Sequence, residues 1–203
     1  MAQGSSAITA STASRLVIDG GVLYKNIDVN ALEDGTATTP VADALASGTL
    51  IAATRGGNTF TAGRTMREME ADGKLGPTKG FKRRQSVEAT LSTNLLEITP
   101  AVLTDIMAGA TVTTAGAFEK ITGGPVETTD YLDNIALVAT HTNGTDDTDA
   151  VVIVLENVLA TEFPEFSFTD EDELVLPVTF GAHFDPASPD TEPYAIYISS
   201  SVS

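Results

Sequence analysis

The sequence contains no cysteine, no tryptophan and only two histidines, His141 and His183. Without thiols there is no disulfide framework and no thiolate metal site. Two imidazoles leave little from which to build a zinc centre or a nucleophile–base pair. No apolar run approaches the ~20 residues of a membrane-spanning helix. The opening stretch "MAQGSSAITASTASR" lacks the basic start and apolar core of a secretory signal. A soluble, cytoplasmically made protein is therefore expected, with no cofactor, no metal and no membrane insertion of its own. Positive charge is scarce as well, and it is absent altogether beyond Lys120.

What is present is unevenly placed. Eight of the eleven basic residues fall between Arg55 and Arg84, and sixteen of the 28 acidic residues fall between Glu127 and Glu192. The formal net charge of −17 disfavours tight binding of free nucleic acid, because affinity for phosphates comes mainly from Lys and Arg. A chain of 203 residues, 42% of them hydrophobic, can bury a core as one large domain or two small ones.

Residues 1–14, rich in Ala, Ser and Thr, read as an N-terminal arm, residues 15–198 as one domain and residues 199–203 as a C-terminal tail. "RLVIDGGVLYKN" reads as strand–turn–strand around Asp19-Gly20-Gly21, "PVADALAS" as a short helix from Pro40, and Thr49 to Thr54 as a strand. From about residue 55 to about 96 the chain reads as a long β-hairpin. Its second arm puts Val87, Ala89, Leu91, Thr93 and Leu95 on one face and Ser86, Glu88, Thr90, Ser92 and Asn94 on the other. Asp72-Gly73, Gly76-Pro77 and Gly80 supply the turn between the arms. A helix follows at about 100–108, with Thr99 as cap, Pro100 at its first position and Gly109 as its stop.

The C-terminal half continues as strands. Val151 to Leu155 is apolar on both faces, as in a central strand. Leu174, Leu176, Val178 and Phe180 alternate inward, and Pro177 suits an edge. Tyr194, Ile196 and Ile198 share one face of a last strand. The expected fold class is mainly β: a β-sandwich or barrel with one flanking α-helix, a long protruding β-hairpin and extended terminal arms.

Chemical motifs are weak. Asp146, Asp147 and Asp149 resemble part of a calcium loop but lack its closing Glu, and a solvated loop is the plainer reading. "RGGNTF" has neither the Gly-Lys-Ser/Thr nor the strand–helix context of a phosphate loop. His183 reads as a half-buried strand histidine, and no Ser sits in the strand–elbow–helix context of a nucleophile. No enzyme is expected. The basic hairpin is the feature with content. A solvated ribbon is its bland reading, and Glu68, Glu70 and Asp72 interrupt it as a nucleic-acid surface. The third reading is a contact between copies, in which Arg64, Arg67, Lys74, Lys79, Lys82, Arg83 and Arg84 of one chain meet carboxylates such as Glu171, Asp172 and Glu173 of the next. A β-sandwich binding or adhesin module is the alternative, although the absence of Trp and the count of four Tyr give it little aromatic surface.

The segments "ATRGGNTF", "REMEADGKLGPTKG" and "TNLLEIT" within residues 48–108, and more loosely "VVIVLENVLA" and "LVLPVTFGAHFDPASPDTEPYAIYI", resemble major tail tube proteins of long-tailed, siphovirus-like bacteriophages. The resemblance implies a structural virion protein assembled in the host cytoplasm, forming six-membered rings that stack into a tube for genome delivery. It implies contacts with further copies and with the tape measure, tail terminator and distal tail proteins. Genomic DNA would pass through the channel without specific binding. A tube subunit of a contractile particle is a close variant of the same reading.

Overall fold

A strand that is apolar on both faces must have a layer on each side, and this one organises the molecule. The structure is a computed structural model that describes residues 16–17, 20–140, 150–170 and 172–198. The N-terminal arm, the C-terminal tail, the loop holding His141 and the Asp146–Asp149 cluster, and Glu171 lie outside the described residues.

In chain order the elements are β1 (Val22–Lys25), α1 (Val29–Glu33), α2 (Pro40–Ser47), β2 (Thr49–Leu50), β3 (Thr59–Glu68), β4 (Lys82–Leu95), α3 (Pro100–Ile106), β5 (Thr111–Ala115), β6 (Phe118–Thr122), β7 (Leu132–Thr140), β8 (Ala150–Ala160), β9 (Leu176–Gly181) and β10 (Tyr194–Ile198). Eight strands form an antiparallel sheet in the order β2-β1-β7-β8-β9-β4-β3, with β10 added beside β8, and β5 and β6 form a separate hairpin. The mainly β expectation holds. Three α-helices accompany the strands among the described residues: α2 and α3 stand where Pro40 and Pro100 placed helices, and α1 was not expected.

The sheet folds over at β8. Its first part, Val151 to Leu155, pairs with β10, and its end, Leu159 and Ala160, pairs with β9. Between the two sits Asn157, with a positive φ of 49°. His183 holds the junction: its Nδ1 lies 3.0 Å from the Asn157 carbonyl, while the Asn157 amide donates to the His183 carbonyl at 3.2 Å. Leu23, Ile135 and Leu155 on one half pack with Leu91, Leu95, Leu176 and Phe180 on the other, and Val102 and Ile106 of α3 close the end of this core. On the outer face of β7 and β8, Ala136, Val152 and Val154 are covered by Ile27 and Ala44, with Tyr24, Leu32 and Leu45 around them. Both faces of β8 are thus buried, which is why its sequence carries no alternation.

Local chemistry explains the ends of α3. The Thr99 hydroxyl accepts from the Val102 amide at 3.2 Å, and Pro100 opens the helix. The chain then turns through Gly109 at φ 73°, where a Cβ would stand 2.6 Å from the Pro125 carbonyl oxygen. The residues read as a strand at 49–54 pair regularly only at Thr49 and Leu50, although Ile51 and Ala52 are buried and Thr54 bridges Leu95. Pro177 is not on an edge strand in the sheet order: β9 lies between β8 and β4. The ladder with β8 reaches only Phe180 and Gly181, so beside Pro177 that side is still open and the missing N–H costs no ladder bond. The β5–β6 hairpin turns at Gly116, φ 66°.

Candidate functional site

The base of the β3–β4 ribbon belongs to the core and its outer part does not. Ala89, Leu91, Thr93 and Leu95 are buried, and Val87 is half-buried. Ser86, Glu88 and Ser92 on the other face are exposed, as their alternation predicts. Outward from there both arms are open: Thr61 to Arg67 and Lys82 to Ser86 are exposed on both faces. Two-stranded ribbons are marginal in water. This one carries seven basic side chains against three acidic ones between Thr59 and Arg84.

A register shift decides which charge points where. Thr65 pairs with Ser86 but Met66 pairs with Arg84, so Gln85 is an extra residue in β4. Strict alternation would put Arg83 on the face of Val87 and Leu91. The bulge puts Arg84 there instead, level with Met66 and in line with Arg64, Ala62 and Phe60. Arg83 falls on the opposite face, directly across from Arg67.

The inward pair has its counter-charge in the same chain. Arg64 ion-pairs with Glu192, and Arg84 donates to the same carboxylate at 3.2 Å and to the Asp190 carbonyl at 3.3 Å. Glu192 precedes β10, whose Tyr194 ring lies 5.6 Å from that of Phe60 on β3. The Tyr194 hydroxyl, followed by Arg84 and Arg64, holds the Glu192 carboxyl below the usual glutamate range, and the same hydrogen bond pushes the Tyr194 phenol up. This clasp ties the middle of the ribbon to the segment that leads into the last strand.

Farther out, Lys74 folds back on Glu68, donates to the Met69 carbonyl at 3.3 Å and lies 5.6 Å over the Phe81 ring. That closes the tip around the Asp72-Gly73 turn and holds the Glu68 carboxyl down. Lys82 stands opposite Glu68 in the ladder. Arg67, Lys79 and Arg83 are exposed and make no ion pair with any described residue.

Of the acidic trio, Glu171 lies outside the described residues. Asp172 and Glu173 meet Arg55 of the same chain, at 3.6 and 2.7 Å. Arg55, Asp190 and Glu192 are therefore charge partners that sequence reasoning did not identify. Asp190 and Glu192 are more than a hundred residues from Arg84, and no local pattern signals such a pair. Two further exposed features were passed over: the β5–β6 hairpin, and the stretch "TEFPEFSFTD" at 161–170, in which every residue except Pro164 is exposed.

The remaining candidate, His183, is half-buried. It is edge-on to Tyr131 at 5.1 Å and borders a cavity of about 420 Å³ with Thr128, Asn157, Phe184 and Pro186. Its ring nitrogen is engaged by the junction backbone rather than by a carboxylate–nucleophile pair. Among the described residues no cluster of His, Asp and Glu is arranged to hold a metal ion.

No protein-family model matches the chain, and no curated protein matches it. Among solved structures, a chain from the tail of an empty GTA particle with C6 symmetry is similar at 8% identity and a TM-score of 0.38, covering 89% of this chain and 96% of its own. A chain of the sheath–tube complex of PVC, an extracellular contractile injection system in its extended state, is similar at 13% identity and a TM-score of 0.45, covering 95% of this chain and 99% of its own. Both TM-scores lie below 0.5.

Proposed function

We propose that this protein is a structural subunit that self-assembles through its β3–β4 ribbon into rings, and that the rings stack into the tail tube of a long-tailed bacteriophage, the conduit for genome delivery to the host. One observation carries the self-assembly: a ribbon joined to a core at its base, exposed on both faces beyond it, with Arg67, Lys79 and Arg83 ion-paired to no described residue in a chain of net charge −17. Outside residues 55–84 the chain carries 25 acidic residues and three basic ones, so another copy offers the missing counter-charge, and opposite charges on one chain favour head-to-tail association. The tail tube itself, six subunits to a ring, rests on the resemblance of the segments within residues 48–108.

In such a tube the virion is the site of action, the other tail proteins are neighbours and no catalytic step is needed. Segments without Lys or Arg, which include everything beyond Lys120, release no counterions on meeting DNA, so DNA passes them without sticking. Negative-stain electron microscopy of the purified protein over a range of concentration and salt tests the reading. Rings or hollow tubes of uniform width support it. A strictly monomeric particle under every condition, with the ribbon protected from protease, overturns it in favour of a β-sandwich binding module.

A further inference from the structure

Two open backbones in this fold match each other. β3 ends the sheet, so one side of its ladder has no strand partner among the described residues. Residues 162–169 belong to no helix or strand, and their backbone makes no hydrogen bond to any described residue. Each is a template for pairing with another chain.

Their side chains match as well. Phe163, Phe166 and Phe168 are 66%, 40% and 81% exposed, three open aromatics within six residues. The exposed carboxylates Glu162, Glu165 and Asp170 lie among them. The ribbon offers the opposite charge at Arg67 and Arg83 and apolar surface at Met66 and Met69, both exposed.

We propose that residues 162–170 of one copy add as a strand to the free edge of β3 in a second copy. The inference rests on the self-assembly reading, since it needs that second copy, and it names the acceptor of the ribbon. Nine extended residues reach ~30 Å, enough to run along the ten residues of β3. Pro164 has no N–H, so the odd-numbered set, Phe163, Glu165, Ser167 and Thr169, makes the ladder bonds. With Glu165 level with Arg67 and the two strands antiparallel, Ser167 falls opposite Thr65, while the period of two places Phe166 opposite Met66 and Phe168 opposite Arg64 on the other face, flanked by Ala62. Charge sets the register and the aromatics bury the area.

The absence of cysteine permits a direct test. Single-cysteine variants Thr65→Cys and Ser167→Cys, both at exposed positions and one bearing a size tag, are mixed where the wild-type protein assembles, then oxidised. A disulfide-linked heterodimer of tagged and untagged chains is expected. The double variant Phe166→Ser/Phe168→Ser is expected to raise the concentration needed for assembly about tenfold or more, with thermal unfolding of the free subunit unchanged. Assembly without the cross-link, or assembly of the double variant at wild-type concentration, overturns the strand addition and leaves the tube reading standing. A wild-type protein that never self-associates overturns both.

Discussion

Arg67 and Arg83 stand directly opposite one another across the β3–β4 ladder, both exposed and neither ion-paired with a described residue. Like charges in register are destabilising, on the scale of about 0.2–1 kcal/mol for cross-strand pairs. A free subunit that holds such a pair is tuned for something other than its own stability. Arg83→Glu turns repulsion into attraction, so it is expected to stabilise the free subunit by roughly 0.5 kcal/mol in chemical denaturation while hindering assembly in light scattering. Loss of stability, or unimpaired assembly, would remove the ribbon's outer face from the interface.

The clasp at Glu192 has a pH signature. Its carboxyl is held below the usual range by the Tyr194 hydroxyl and by Arg84 and Arg64. A depressed folded-state pKa contributes stability that is present above the unfolded value and lost as pH falls through the folded one. Acidification below the ordinary glutamate range should therefore release the middle of the ribbon from the segment before β10. Hydrogen exchange of the Arg64 and Arg84 guanidinium groups reads this directly. Glu192→Gln should expose the same groups at neutral pH and abolish the pH step; a step that persists in the variant assigns it to another carboxylate.

Tyr197 gives the opposite sign. Burial first, and then the hydrogen bond to Glu33 at 3.0 Å, push its phenol up to about 12. A raised pKa favours the native state below the unfolded value near 10, and that contribution is lost as pH rises through about 12. Alkaline unfolding is expected in that window, and Tyr197→Phe should shift its midpoint upward. An unchanged midpoint would mean that other groups drive it.

Phe180 is fully buried where the sheet folds over, paired with Leu91 of β4 and Ala160 of β8. Phe180→Ala should cost about 3–5 kcal/mol, the usual range for losing a core aromatic. Urea unfolding of the free subunit measures it. A cost below about 1 kcal/mol would be too small for a core aromatic and would mean that the two halves do not share this core.

Much of the architecture was legible because its cause is local. The alternation from Val87 to Leu95 follows from the two-residue pleat, the doubly apolar run of β8 from having a layer on each face, and the start of α3 from Thr99 and Pro100. The concentration of positive charge on a turn-rich hairpin was equally plain, because it needs only residue order. Where each charge points was not. One extra residue at Gln85 exchanges the faces of Arg83 and Arg84, and nothing in "KRRQS" announces a bulge. The partners were hidden for the same reason: Arg84 finds Glu192 and Arg55 finds Glu173 only because β10 and the approach to β9 are brought beside the ribbon. Sequence by itself determined the elements and the charge imbalance, since period, caps and turns act within a few residues. The fold alone decided which cations are answered within the chain and which are left for a neighbour, because Coulomb attraction depends on distance in space and is indifferent to distance along the chain.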